Sequence, residues 1–279
     1  MTVAIVADST ADFPNADPSE LDVTLIPLTV HWGRDVLRDR VDVTTGEFYA
    51  RLRTDPNLPK TSAPPIGIFE EVYRERLARC DAVISLHIAS AFSSTHSVAL
   101  AAARAVDPRR IHVIDSASTS VGLGWLVERA AELAATGLDA DGIVRAVQES
   151  IPRVRLFLTL ETLEYLQRGG RIGRAQAFVG ALLNVKPVLQ ILDGTVVPVE
   201  RVRTRAASLR RIADLAERAG AKERMAIVHG DSAAEAEALR DLVAASHPEL
   251  PIGIAEIGAV VATYTGPGII GIGCLLASQ

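Results

Sequence analysis

The sequence predicts an α/β protein of two domains, and three observations carry that prediction. Short apolar runs beginning near residues 3, 82 and 111 alternate with helical segments, the pattern of parallel strands joined by right-handed crossovers. Ile151-Pro152 ends a helical segment just past the middle of a 279-residue chain, a length beyond one typical domain. Past that break, Asp193-Gly194 stands between two apolar runs, which signals a tight hairpin and hence antiparallel pairing in the second half. The expected layout is a Rossmann-like domain over 1–150 and an α/β domain with a mixed or antiparallel sheet over 151–279.

Taken in order, Val3 to Ala7 reads as a strand ending in Asp8-Ser9-Thr10, and Val23 to Val30 as a second, closed by His31-Trp32-Gly33. Asp8 either belongs to a site at a strand's carboxyl end or caps the next turn. TTGEFYARLR carries a capping box, Thr44 with Glu47, and starts a scaffold helix. DPNLPKTSAPP, from Asp55 to Pro65, reads as a stiff extended surface loop before the helix from Ile66 to Ala78, and it presents Thr61 and Ser62 either as helix caps or into a cleft. Ala82 to Ile88 is a buried strand and Val98 to Ala105 a helix, which puts Ser90, Ser93, Ser94 and Thr95 in the turn between them. The unpaired N–H groups at a helix start, with hydroxyls beside them, hold a carboxylate or phosphate; equally, Ser93 or Ser94 is an ordinary N-cap.

Arg110 to Asp115 is the next strand, followed by helices over Val121 to Ala135 and Asp141 to Ser150. Beyond the break come a strand from Val154 to Leu160, a short helix and a basic glycine turn from Arg168 to Arg174. An apolar helix from Ala175 to Leu183 and the hairpin follow. Those arginines are either solvated surface charge or, given the glycines among them, a place of close approach for a phosphate or an acidic partner. Met225 to His229 is a strand, Ser232 to Ser246 an amphipathic helix, and Ile252 to Ile257 another strand. The tail after Glu256 has no charged residue, yet five glycines and Pro267 interrupt it, so it reads as two buried strands joined by TGPG rather than a membrane span.

Composition excludes several classes. A net charge of −5 argues against a nucleic-acid groove. The N-terminus lacks the basic flank and long apolar region of a signal peptide. Cys80 and Cys274, with no CxxC spacing, read as buried free thiols in a reducing, cytosolic setting. GLGWLV at Gly122 lacks the third glycine of a dinucleotide fingerprint, no P-loop motif exists, and the six histidines have no metal-ligand spacing. No cofactor of its own is therefore expected.

ADSTADFP, TSAPP, the SST turn, VIDS, YLQRGGRI, LLNVKPVL with DG and VRTR, and TGPG occur in an order that resembles the DegV family over nearly the whole chain. Those fatty-acid-binding proteins act as acyl-carrying subunits of bacterial fatty acid kinase. The resemblance implies a long-chain fatty acid buried between two domains, its carboxylate held by Thr61 and Ser93, with Ser62, Ser94, Thr95 and Tyr264 as further candidates. It also implies that Arg171 and Arg203 face the phosphate and the ATP-binding kinase subunit, which supplies ATP and Mg²⁺. Two positions depart from the pattern: Ser94 stands where the family often has Gly, and Tyr264 where it often has His. A role that needs a protonatable imidazole is thereby lost, whereas a phenol still donates one hydrogen bond.

With only 4% aromatic residues, the core is aliphatic, as a fatty acyl tail would require. Burying roughly fourteen methylenes at about 0.8 kcal/mol each gives on the order of 11 kcal/mol before ordering costs. Two rivals stand beside the carrier. One is a hydrolase or acyltransferase using Ser93 with His96 or His229, although no GxSxG elbow is present. The other is a binding protein for another small amphiphile or phosphate.

Overall fold

The computed structural model describes residues 2–16, 19–179 and 185–278. The first strand, β1 (Val3–Asp8), is buried from Ala4 onward, as an interior strand must be. The apolar run expected to form one strand from Val23 to Val30 is two, β2 (Val23–Ile26) and β3 (Thr29–Trp32). Pro27 has no N–H for a continuous ladder, and the chain leaves the first sheet there, with the Leu28 N–H donating to Ser9 Oγ at 3.1 Å. β4 (Asp35–Arg38) pairs back onto β3. α1 (Thr45–Thr54) starts at the expected capping box, in which Thr44 accepts from the Glu47 N–H and Glu47 reaches back to the Thr44 N–H. The Pro-rich stretch is not loop throughout: β5 (Lys60–Ser62) lies within it and adds antiparallel to β3, Thr61 opposite Val30.

α2 (Ile66–Leu77), β6 (Ala82–His87), α3 (Thr95–Val106), β7 (Ile111–Asp115), α4 (Ser120–Ala135) and α5 (Ala140–Ser150) follow. Strands β2-β1-β6-β7 form a wholly parallel sheet, as the alternation of elements predicts. After a 3₁₀ turn, Ile151–Arg153, come β8 (Val154–Thr159), α6 (Glu164–Arg168), and a second 3₁₀ turn, Gly173–Phe178. The expected apolar helix from Ala175 to Leu183 is thus a 3₁₀ turn where it is described, and residues 180–184, with LLN of the LLNVKPVL motif, lie outside the described residues.

The chain continues with β9 (Lys186–Leu192), β10 (Thr195–Val202), α7 (Arg205–Arg218), β11 (Lys222–His229), α8 (Ala233–Ala244), β12 (Ile252–Glu256), α9 (Ala259–Thr265) and β13 (Ile270–Leu276). They form a mixed six-stranded sheet, β10-β9-β8-β13-β11-β12, in which only β11 and β12 are parallel. The β9–β10 hairpin turns at Asp193 and Gly194, both with positive φ (49° and 70°), as a two-residue turn of this hand demands.

The uncharged tail corrects a second expectation, because its first half is helix α9 and only its second half is a strand, β13. Val260 and Val261 favour extended structure by propensity, but packing overrides it. Ala259, Val260 and Ala262 of α9 close a cluster with Leu28, Val30 and Trp32 of the three-stranded sheet region and Phe48 and Leu52 of α1. A buried polar cluster fixes the start of α9: Asp39 accepts from the Ala259 N–H at 3.2 Å and from Ser9 Oγ at 2.7 Å. Arg40 bonds the Ser9 carbonyl and Asp12, which also accepts from Ser120 Oγ at the start of α4. Burial pushes the Asp39 carboxyl up to about 6.

Helix α4 packs between the sheets. Its Val121, Leu123, Trp125 and Leu126 share one core cluster with Ile5, Ile84 and Leu86 of the parallel sheet and with Leu156, Leu158 and Leu275 of the mixed sheet. Both cysteines are free; Cys274 is buried, and burial pushes its thiol up to about 12, whereas Cys80 is only half-buried, contrary to expectation. Among the described residues no helix is long and apolar enough to cross a membrane, and no group of His, Cys, Asp or Glu is arranged to hold a metal.

Candidate functional site at a polar neck

Three spaces share walls. An apolar cavity of about 70 Å³ is lined by Thr61, Ser93, Arg171 and Tyr264 together with aliphatic side chains that include Leu28, Ile88, Leu158 and Ile191. An outer cleft of about 550 Å³ shares Thr61, Arg171 and Tyr264 with it and adds Lys60 and Arg168. On the inner side, a cavity of about 40 Å³ shares Thr119, Leu158, Ile191, Val261 and Thr265, and is otherwise walled by residues such as Phe157, Val228 and Ile272. The arrangement is a basic mouth, a polar neck and an apolar interior.

Four elements build the neck. β5 carries Thr61, and its hydroxyl lies 2.6 Å from that of Tyr264, near the end of α9. Arg171, in the glycine turn after α6, stacks its guanidinium over the Tyr264 ring at 4.9 Å. Its Nε donates to the Phe92 carbonyl at 3.0 Å and its Nη1 to the Gly169 carbonyl at 2.8 Å, which fixes the plane of the guanidinium. Ser93 stands in the β6–α3 turn, its hydroxyl 2.8 Å from that of buried Thr95 and accepting from the Thr95 N–H at 3.3 Å.

Within the chain, the group that approaches the glycine turn closely is the Tyr264 ring, which no pattern in the sequence pairs with it. A Cβ at Gly169 would sit 2.3 Å from the ring's Cδ1, so any side chain there must push Tyr264 aside. Gly169→Ala is therefore expected to displace the phenol from Thr61 and weaken ligand binding at least about tenfold, the scale of one lost charge-assisted hydrogen bond. Binding measured by calorimetry and unchanged in this variant would separate Tyr264 from the site.

The remaining expected residues are placed differently. Ser62 faces away from Thr61, as successive strand residues must, and its hydroxyl pairs with His31 Nε2 at 2.9 Å on an exposed surface. Ser94 is the exposed N-cap of α3 but makes no side-chain capping bond, and it lines none of the three spaces. Thr95 supports Ser93 from behind instead of facing the cavity. Arg203 is exposed and lines none of these spaces either. Arg171 lines both the neck cavity and the outer cleft. Thr119 and Thr265, neither singled out in the sequence, line the inner cavities; Thr265 opens the TGPG motif, whereas Thr119 stands in none.

The hydrolase reading finds little support in this geometry. Ser93 pairs with Thr95 and not with a histidine. Burial pushes the His96 and His229 imidazoles below their ordinary range, and His229 Nδ1 accepts from the Ser232 N–H at 3.3 Å, where it serves the turn into α8. A serine–histidine–aspartate chain does exist elsewhere: Ser85 Oγ lies 2.7 Å from His87 Nε2, and His87 Nδ1 3.1 Å from Asp8. All three are fully buried and Tyr73 donates to Ser85, so the hydroxyl is a core crosslink that no substrate reaches. Asp8 also accepts from the Thr10 and Ile88 N–H groups, and so ties β1 to β6 rather than to a ligand.

The chain resembles known proteins along almost its whole length. A family model described as "Uncharacterised protein, DegV family" matches residues 2–276. Protein DegV of Bacillus subtilis is 34% identical over 276 residues, covering 98% of each chain. A solved DegV family protein from Thermus thermophilus, described by its fatty acid binding, superposes with a TM-score of 0.93 at 34% identity, over 99% of this chain and 100% of the other. The structure of DegV from Bacillus subtilis, described as a fatty acid binding protein, gives 0.90 at 34% identity over 99% of both chains. A stearic acid-binding protein from Eubacterium ventriosum gives 0.90 at 27% identity over 98% of both.

Proposed function

The chain belongs to the DegV family, and from that premise we propose that it is a carrier for a long-chain fatty acid, presented to a separate kinase subunit and phosphorylated there to an acyl phosphate. The observation that carries the reading is the convergence of Thr61, Ser93, Arg171 and Tyr264 on one end of a cavity with aliphatic walls. In this reading two units meet near Ile151–Arg153, the carboxylate sits at the neck, and the tail runs inward past Leu158 and Ile191. Thr61 and Ser93 donate to the carboxylate without neutralising it, which leaves an oxygen able to attack phosphorus. Arg171 has Nη2 free of the two carbonyl contacts that orient it, directed to stabilise the charge that grows on the transferring group. The partner brings ATP and Mg²⁺; this chain binds, orients and keeps water from the tail. A cytosolic setting accords with such a partner.

Incubation with ATP, Mg²⁺ and fatty acid is expected to yield acyl phosphate only when the cognate kinase subunit is added. Exposed Arg203, which lines none of the three spaces, is expected to act at the docking surface, so Arg203→Ala keeps its lipid and loses turnover. Acyl phosphate made by the purified chain alone, or lipid lost together with turnover in Arg203→Ala, contradicts this division of labour.

A further inference from the structure

Thr119 lies where the two inner cavities meet, lining both, and is 6% exposed. Its hydroxyl has no hydrogen-bond partner among the described residues. As the N-cap residue of α4 it would ordinarily accept from a helix N–H, yet it makes no such bond. Thr24 and Thr159 also carry buried hydroxyls without partners, but neither lines a cavity of this path. A buried hydroxyl left unpaired is costly, so one retained beside a ligand path points to a partner on the ligand.

The surroundings fit a particular partner. Thr265 lines the same two cavities, and its hydroxyl donates to the Val261 carbonyl at 3.2 Å, which leaves its oxygen lone pairs to accept. The Thr119 hydroxyl is a donor without an acceptor, and rotation about χ1 by about 120° exchanges it with the γ-methyl on the same Cβ. The backbone on either side is pinned: the Ser118 carbonyl accepts from the Ala89 N–H at 2.8 Å, and the Ser120 N–H donates to the Thr10 carbonyl at 2.9 Å. As the side chains stand, the inner cavity is walled by carbon alone and the Thr119 oxygen is fully covered; with Thr119 so rotated, a donor and an acceptor flank the passage, matching a group that both accepts and donates.

We propose that Thr119 and Thr265 form a polar subsite within the acyl path, selecting a long-chain fatty acid that bears a hydroxyl group part-way along its chain. The inference rests on the carrier reading above and specifies its ligand. The chain hydroxyl accepts from Thr119 and donates to Thr265, while the carboxylate stays at the neck.

Displacement of a bound fluorescent fatty acid by stearic acid and by 2-, 10- and 12-hydroxystearic acids tests this in the wild-type protein, Thr119→Val and Thr119→Ser. Wild type is expected to bind the 10- or 12-hydroxy isomer more tightly than stearic acid. Thr119→Val is expected to weaken that isomer about tenfold and to leave stearic acid within about twofold, with Thr119→Ser close to wild type. Stearic acid binding more tightly than both mid-chain isomers in the wild type overturns the subsite while leaving the carrier intact, and requires no variant to fold. Equal weakening of stearic and hydroxystearic acids in Thr119→Val overturns it likewise. Failure of every acid to displace the probe removes the carrier reading and the subsite together.

Discussion

Thr61→Val combined with Ser93→Ala is expected to weaken long-chain fatty acid binding by a hundredfold or more and to leave the fold intact. The two hydroxyls come from separate elements, β5 and the β6–α3 turn, and line the same end of one cavity. Each hydrogen bond to a carboxylate contributes about 1.5 to 3 kcal/mol, so each single variant should lose tenfold or more. Thr61 and Ser93 are only partly buried, and neither hydroxyl crosslinks the core, so thermal stability should change little. Ser62→Ala and Ser94→Ala serve as controls, since those hydroxyls face solvent and His31 rather than the cavity. Equal affinities of the double variant and the wild type would place the carboxylate elsewhere.

Val261→Phe is expected to act on the tail in place of the head group. Val261 lies on α9 and lines both inner cavities, so a larger side chain there closes the passage between them. If roughly four methylenes lose their burial, at about 0.8 kcal/mol each, affinity for an 18-carbon acid should fall about a hundredfold. A 10-carbon acid, too short to pass Val261, should lose less than about threefold by the same arithmetic. Parallel losses for the long and short acids would show that the phenyl group disturbs α9, and with it Tyr264, instead of blocking the tail.

Local chemistry wrote much of the fold into the sequence. The Thr44–Glu47 capping box, the left-handed pair at Asp193-Gly194 and the alternation of short strands with helices all concern neighbours in the chain, and the structure has each of them. The parts that were not legible depend on distant partners. The run from Val23 to Val30 divides at Pro27, a break its missing N–H made legible, but the Ser9 hydroxyl that receives the Leu28 N–H beyond it is a distant partner. β5 exists because β3 presents an edge to Lys60–Ser62, and α9 is helical because Asp39 and the cluster around Trp32 receive it.

The site divides along the same line. Thr61 and Ser93 emerge from the resemblance, but strand alternation decides that Thr61 faces the cavity and Ser62 does not, and β5 itself was unforeseen. The glycine of the basic turn was recognisable as a point of close approach, whereas its partner, the ring of Tyr264, is 95 residues away in sequence and known only from the folded chain. Thr119 carries no motif; its interest comes from lining two cavities with an unpaired hydroxyl, a purely three-dimensional property.

Organic extraction of the natively purified protein, followed by quantitative mass spectrometry, tests the central claim most directly. The account predicts close to one long-chain fatty acid per chain, with the amount sharply reduced when Thr61→Val and Ser93→Ala are combined. An extract without fatty acid, from protein that also fails to take one up when it is supplied, would contradict it.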